Sequence, residues 1–360
     1  MIESQAGRRV LVTGVGVIAP NGIGKQRFWD GLSAPVEPAT VRPVPEFDPG
    51  WFGLSRVEAR RLDRFAQFAV GAAAMALVDA GLLPEVTAAG SLTGVDPQRV
   101  AVLVGSGSGG ATTRGQQLRA LAERGQRAVS PYLVPMTMVN AAAAAISIRW
   151  RTHGLAEAVS TACATGTLAI GAAARWVAAG RAELALAGSA EAALTDGALA
   201  GYLAARALSP TGRSAPFDVD RDGFCAGEGA AVLVLEEAAH AAARGVRGYA
   251  EIAGVGASSD AHHVTAPAPD AAQAIACMRS ALVDARVAPG EVTHVNAHAS
   301  ATILNDQLEA RAIQELFGVP GPAVTAIKGV TGHGQGAAGA IEAVAVALAY
   351  SHRMLPPVIG

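Results

Sequence analysis

The sequence predicts a layered α/β protein. Short aliphatic and β-branched runs recur along the chain, alanine-rich stretches of helical length lie between them, and the two kinds alternate. Five runs read as buried strands: 8–19 (RRVLVTGVGVIA), 100–110 (VAVLVGSGSGG), 183–192 (ELALAGSAEA), 230–237 (AAVLVLEE) and 293–300 (THVNAHAS). Two segments read as helices, 64–79 (RFAQFAVGAAAMALVD) and 167–179, both with small and apolar residues on more than one face, which predicts interior helices.

The bulk properties bound the function. With 360 residues, 51% of them hydrophobic and 16% charged, the chain has material for a large core and no low-complexity acidic or basic tail. A formal charge of −2 gives no reason to expect a nucleic-acid partner. Three widely spaced cysteines, Cys163, Cys225 and Cys277, do not make a disulfide framework and point to a reducing cytoplasm. The N-terminus lacks the basic-then-apolar pattern of a secretory signal. Every apolar run is broken before the roughly 20 residues a bilayer needs, so no membrane partner is expected.

The stretch Gly14-Val15-Gly16 follows a strand but lacks the third glycine and the immediate helix of a dinucleotide fingerprint, and reads as a turn. A similar Gly-Val-Gly recurs in 249–262 (YAEIAGVGASSDAH), a faint internal echo that a duplicated α/β unit would explain.

In 159–167 (VSTACATGT), Cys163 lies between a strand-like AEAVSTA and a helix, among small residues that permit a tight turn and an exposed side chain. A helix N-terminus favours the thiolate, but about 0.3–1 kcal/mol of dipole stabilisation lowers a thiol pKa by only about 0.2–0.7 units. Efficient attack therefore calls for a nearby histidine. The alternative, a packed core cysteine, stays open on these residues alone.

Two histidines are candidates. His298 follows the run in which His294, Asn296 and His298 share a face, with Ser300 and Thr302 just beyond. His333 lies in 327–343 (IKGVTGHGQGAAGAIEA), a glycine-rich loop between strand-like AVTAI and a small-residue helix, flanked by Lys328 and Glu342. Cys225 and Cys277 read as packing residues. Adjacent His262 and His263 would point apart, and no spacing supports a metal site.

At these residues the sequence resembles the β-ketoacyl synthases of the elongating Cys-His-His type, the condensing enzymes of fatty acid and polyketide assembly in the thiolase superfamily. The resemblance runs over essentially the whole chain, through VLVTGVGVIAPNGIG, SPYLVPMTMVN, STACATG, SAPFDVDRDGF, AGEGAAVLVLEE, NAHASATILND and KGVTGHGQGAAGAIEA in order. It implies a thiolase-like fold of two βαβαβαββ halves in a five-layer αβαβα arrangement. The first half would span residues 1–248 with the nucleophile, and the second 249–360 with both histidines.

The resemblance further implies that Cys163 accepts the acyl group and that His298 and His333 act on the extender thioester. Lys328 and Glu342 would support the site electrostatically, and Ser300 and Thr302 would hold the phosphopantetheine arm. The expected reaction is decarboxylative Claisen condensation of acyl-Cys163 with malonyl-carrier protein, with no tightly bound cofactor and no metal. The partners implied are an acyl carrier protein, docked by the basic Arg60, Arg61 and Arg64, and a second subunit, identical or a chain-length factor.

Three departures qualify the match. Alanine stands at 299 where the family's HGTST-like run has glycine. The LND at 304–306 followed by Glu309 is closer to type II polyketide enzymes. The sequence ends at LPPVIG, short of the family's closing strands and GFGGTN-type loop, which predicts a second half without its last strands and without one oxyanion donor. Two alternatives remain: a non-catalytic chain-length-factor or scaffold subunit, against which the retained cysteine and histidines count, and a CoA-dependent thiolase, which would want a late second cysteine.

Overall fold

The computed structural model describes residues 7–360; residues 1–6, the first part of the N-terminal stretch read above, lie outside the described residues. Strand β1 spans Val10–Ala19, helix α1 Arg64–Asp79 and strand β2 Val100–Gly105. Helix α2 (Ala141–Trp150), strand β3 (Ala156–Glu157), helix α3 (Thr165–Ala178) and strand β4 (Leu184–Glu191) follow. Next come β5 (Gly229–Glu237), β6 (Ala250–Glu251), α4 (Ala272–Ala285) and β7 (His294–Asn296). Helix α5 (Ile303–Phe317), strand β8 (Ala323–Thr325), the short helix α6 (Lys328–Thr331) and α7 (Ala338–His352) complete the frame.

The main sheet is mixed. Its order is Gly22–Ile23, β1, β5, β4, β2, β3, with β6 also paired to β1. β1 and β4 run antiparallel to β5, whereas β2 runs parallel to β4 and β3. The period of two along each strand sorts its side chains into two cores. Val100, Val102, Val104, Leu184, Leu186, Val232 and Val234 face α1 and α2, meeting Phe65, Phe68, Leu77, Ile146 and Trp150. Ala101, Leu103, Ala185, Ala187, Leu233 and Leu235 face α3 and α7, meeting Ile170, Val177, Ile341, Val344 and Leu348. Burial on both faces explains why these strands read as unbroken apolar runs.

A second, two-stranded parallel sheet joins β7 to β8. Ala297, Ala299 and Ala326 at its ends pack on Ile313 of α5, and α5 in turn packs on α4. A strand forms within each of the five runs expected from sequence, but the one at 100–110 ends at Gly105 and the one at 293–300 shrinks to His294–Asn296. The helix expected at 64–79 matches α1, and the one expected at 167–179 starts two residues earlier, at Thr165.

The Gly14-Val15-Gly16 reading needs correction: these residues are not a turn but the middle of β1, which runs on to Ala19. Their glycines let α1 lie on the strand. A Cβ on Gly16 would stand 2.0 Å from Ala72 O, and one on Gly14 2.3 Å from Ala76 O. The echo at 254–256 makes the same contact with α4: a Cβ on Gly256 would stand 2.0 Å from Cys277 O, and one on Gly254 2.5 Å from Ala281 O. The sequence echo is thus a repeated helix-on-backbone contact, made on the α4 side by the backbone of Cys277 and Ala281.

This contact predicts an asymmetric response to alanine. Gly16→Ala must push a helix off the sheet and costs about 1–3 kcal/mol of stability, whereas Gly115→Ala, whose Cβ would meet nothing within 4 Å, is neutral or stabilising. Urea-unfolding midpoints of the two variants against wild type measure the difference.

Candidate active site

The nucleophile candidate stands where the chain reverses into α3. Ala162 adopts φ +50, a one-turn 3-10 segment covers Ala162–Ala164, and Thr165 Oγ1 accepts the Thr161 N–H at 2.9 Å. The strand-like AEAVSTA expected before it shrinks to β3, because only Ala156 and Glu157 pair with β2. Cys163 is therefore set at the head of a helix by a strained elbow rather than by a strand.

His333 reaches it from the other end of the sequence. The loop after α6 is pinned by the His333 N–H, which donates to Cys225 O at 2.7 Å, and by the Gly227 N–H, which donates to His333 O at 2.9 Å. The ring Nε2 lies 3.1 Å from Cys163 Sγ. The Gln335 N–H donates to Nδ1 at 3.1 Å, so Nδ1 carries the lone pair and Nε2 the hydrogen. The edge of Phe224 closes one side of the ring, with 5.2 Å between centroids.

His298 completes the group, its ring T-shaped to that of His333 with centroids 5.3 Å apart. It lies beyond the end of β7, so it does not share the strand face read for His294 and Asn296; those two meet Thr325 of β8 instead. Glu309, from α5, holds the His298 loop: its two oxygens accept the N–H groups of His298 and Ala299, each at 2.7 Å. Lys328, buried, donates to His298 O at 2.6 Å and to Glu342, and its ammonium faces His298 Nδ1 at 3.4 Å. That cation forces the lone pair onto Nδ1 and leaves Nε2–H free to donate.

The electrostatics follow from this packing. The Lys328 charge and burial hold the His298 pKa down at about 3. Burial, then Lys328 and His298, hold His333 well below the usual imidazole range. Both rings are thus neutral at physiological pH. Burial raises the Cys163 thiol, with Lys328 opposing it. This corrects the expectation of a helix-lowered thiol, because desolvation is the leading influence on the sulfur. Burial also raises Glu342 and Glu309.

Ser300 and Thr302 lie just past His298 with their hydroxyls bonded to each other at 2.9 Å. The three expected docking arginines separate. Arg60 and Arg61 are exposed, Arg61 over the ring of Tyr132. Arg64 is committed inside: it pairs bidentately with buried Glu228, donates to Val44 O and stacks on Phe68. Its charge is neutralised where it stands, so it buttresses the fold rather than offering a free cation.

Sequence reasoning passed over two carboxylates. Glu309 served only as a subgroup marker, and Glu191 was not singled out. Glu191, buried, accepts from the Gly107, Ser108 and Gly336 N–H groups and ties the β2 loop to the turn after His333. The only advance signal was an acidic residue inside an otherwise apolar strand, LALAGSAE. The Cys163, His298 and His333 donor atoms lie within 4.8 Å of one another, a spacing a soft metal ion also accepts. The Lys328 ammonium against His298 opposes a second cation there.

Comparison with known proteins gives a single picture. Residues 36–241 match the family model described as Beta-ketoacyl synthase, N-terminal domain, and residues 249–360 that described as Beta-ketoacyl synthase, C-terminal domain. The chain is 39% identical to 3-oxoacyl-[acyl-carrier-protein] synthase 2 of Coxiella burnetii, over 98% of this chain and 88% of that one. It is 37% identical to a putative polyketide beta-ketoacyl synthase 1 of Streptomyces cyaneus, over 97% and 87%. Among solved structures it is similar to the ishigamide ketosynthase/chain length factor, with a TM-score of 0.88 at 34% identity, covering 98% of this chain and 88% of that one. It is also similar to a type II PKS acyl-carrier protein in complex with its ketosynthase bound to the hexaketide, with a TM-score of 0.82 at 30% identity, covering 95% and 86%.

The buried histidines make stability depend on pH. An unfolded histidine titrates near 6.5 and folded His298 near 3, so between these values only the unfolded chain takes up the proton. Stability is therefore present above 6.5 and falls as pH drops toward 3, by up to about 1.4 kcal/mol per pH unit for each such ring. In urea titrations at pH 5 and pH 7, His298→Asn is expected to flatten this dependence by about one proton; parallel curves for variant and wild type would mean an ordinary imidazole.

Proposed function

The chain belongs to the β-ketoacyl synthase family and is a 3-oxoacyl-[acyl-carrier-protein] synthase, a condensing acyltransferase of fatty acid or polyketide assembly, and from that premise we propose how its own residues divide the reaction. The carrying observation is Cys163 Sγ 3.1 Å from His333 Nε2, with the His298 ring beside it.

Cys163 attacks the thioester of an acyl-carrier protein; the S–acyl bond forms on Sγ, and the thiol proton leaves with the carrier's released thiol. Malonyl-carrier protein then loses CO₂, and its enolate carbon attacks the acyl-cysteine carbonyl. The products are the 3-oxoacyl-carrier protein and the Cys163 thiolate, which takes up one proton. Negative charge develops on the malonyl thioester oxygen during decarboxylation. Two neutral imidazoles, each with its hydrogen on Nε2, are suited to receive it, because donors aimed at a developing charge in a dry site stabilise the transition state selectively.

Lys328 and Glu342 fix the His298 tautomer, and the Lys328 charge eases formation of the thiolate. Glu309 positions the loop. Ser300 and Thr302 present hydroxyls to the phosphopantetheine arm of the carrier, which is a substrate rather than a bound cofactor. The two halves, 1–248 and 249–360, divide the chemistry: nucleophile on one, both imidazoles on the other. A second ketosynthase-type subunit covers the open edge at β3, where Ala156 and Glu157 are exposed and Val134, Met138 and Ile148 leave apolar surface uncovered. No helix among the described residues is long and apolar enough to cross a membrane.

Intact-protein mass spectrometry after incubation with acyl- and malonyl-carrier proteins tests the assignment. Wild type gains one acyl group, Cys163→Ala gains none, and His333→Ala keeps acylation while losing decarboxylation by about 10²–10³-fold. Labelling that survives Cys163→Ala would overturn the nucleophile.

Docking follows the exposed arginines. Reversing Arg60 and Arg61 to glutamate is expected to raise KM for the acidic carrier several-fold and weaken its salt dependence, with kcat nearly unchanged. Arg64→Ala should instead lower stability, by about 1–3 kcal/mol, because it strands buried Glu228; steady-state kinetics at two ionic strengths, alongside thermal unfolding, separate the two roles.

A further inference from the structure

One buried cation lies behind the site without touching it. Arg42 belongs to the two-residue strand Val41–Arg42 and is buried. That strand runs parallel to Ala226–Gly227, with Val41 opposite Ala226 and Arg42 opposite Gly227, and the Ala226 N–H donates to Thr40 O at 2.8 Å. Ala226 in turn bridges to His333. The backbone that carries Arg42 is therefore one strand removed from the imidazole.

The side chain spans the same gap by another route. Arg42 Nη1 donates to Gly329 O at 2.7 Å and to Val330 O at 2.9 Å, and Nη2 lies 4.0 Å from Cys225 Sγ. A Cβ on Gly332 would stand 3.2 Å from Arg42 Cδ, so the stem lies against that residue. One guanidinium thus grips the stretch that separates Lys328 from His333. The last carbonyls of a helix lack intrahelical partners, and Gly329 and Val330 of α6 are buried. A cation at this end satisfies groups that would otherwise be stranded, and a planar fork reaches two carbonyls at once.

We propose that Arg42 is a positioning residue for the decarboxylation step. By fixing α6 and the turn after it, Arg42 keeps Lys328 against His298 and His333 against Cys163 without itself reaching the reacting atoms. The proposal rests on the reading that the two imidazoles receive the charge developing on the malonyl thioester. Donors of that kind lose their effect when displaced by a fraction of a bond length to an ångström. The contacts of Arg42 do not include Cys163 or its turn, so acyl transfer to the sulfur is largely spared when they are lost.

The test uses the full chain in two assays. One reads acylation of Cys163 by an acyl-carrier protein; the other reads loss of CO₂ from malonyl-carrier protein, as the acetyl-carrier protein that forms when the enolate takes up a proton. Arg42→Ala is expected to slow decarboxylation by roughly 10–100-fold with acylation nearly unchanged. Arg42 also lines two clefts, of about 260 Å³ and 340 Å³, by which a small planar cation can enter the space left by the truncated side chain. Millimolar guanidinium should therefore restore part of the lost rate in Arg42→Ala and none in wild type. A fold that was merely weakened would respond in the opposite sense, because guanidinium is a denaturant. Arg42→Lys, which keeps the charge but not the fork, should show the same split to a smaller degree, and it carries the test if the alanine variant does not fold. Equal losses in both assays without recovery by guanidinium, or decarboxylation at the wild-type rate in both variants, overturns the positioning role. If His333→Ala itself decarboxylates at the wild-type rate, the imidazole assignment fails and this inference falls with it.

Discussion

The site depends on the closeness with which α3 and α7 meet at their N-termini. A Cβ on Gly166 would stand 2.4 Å from the Ala340 nitrogen, and one on Gly339 2.3 Å from Thr167 Oγ1. Two helices can approach to that distance only if both present hydrogen at the crossing. The turn before α3 carries Cys163, and the turn before α7 follows His333, so the crossing sets the sulfur against the imidazole. The alanine-rich runs after both motifs are the sequence expression of this constraint. Larger residues there would part the helices before any catalytic side chain was altered.

Around this contact the charged groups are each held by several partners at once. Lys328 alone touches His298 by its ammonium, His298 by its backbone oxygen, and Glu342. A buried cation is costly without such partners; its charge is the leading cause that keeps His298 neutral, whereas burial leads for His333, whose tautomer is set by the Gln335 N–H. The resting thiol is protonated for the same reason of burial. Charge is therefore minimal around the sulfur at rest and is accommodated when it develops.

Much of this was legible in the chain. Strands buried on both faces announce themselves as apolar runs, and the Cys163, His298 and His333 neighbourhoods carried enough pattern to name the chemistry before any coordinates. What was not legible depends on partners distant in sequence. The Gly14-Val15-Gly16 turn reading failed because nothing local says that the Ala72 carbonyl will lie on that glycine. Arg64 read as a free cation because Glu228, 164 residues away, was not known to face it. Glu309 and Glu191 act by receiving backbone N–H groups, and such groups leave no mark on the sequence.

Four of the twelve non-glycine residues at positive φ among the described residues adjoin the chemistry. Ala162, Ala299, Ala301 and Gln335 all adopt positive φ without being glycine, at +50, +37, +65 and +50. They adjoin Cys163, His298, Ser300 and the His333 loop respectively. Each such residue costs on the order of 1–3 kcal/mol and persists only where its surroundings over-determine it. Here the surroundings are identifiable: Thr165 Oγ1 on Thr161, Glu309 on Ala299, Asp306 on Ala301, and His333 Nδ1 on Gln335. Alanine at 299, where a related run has glycine, keeps that loop from relaxing into the alternative backbone states that glycine allows. The stability given up at these four residues is the cost of holding a sulfur and two imidazoles in register without any of them being charged.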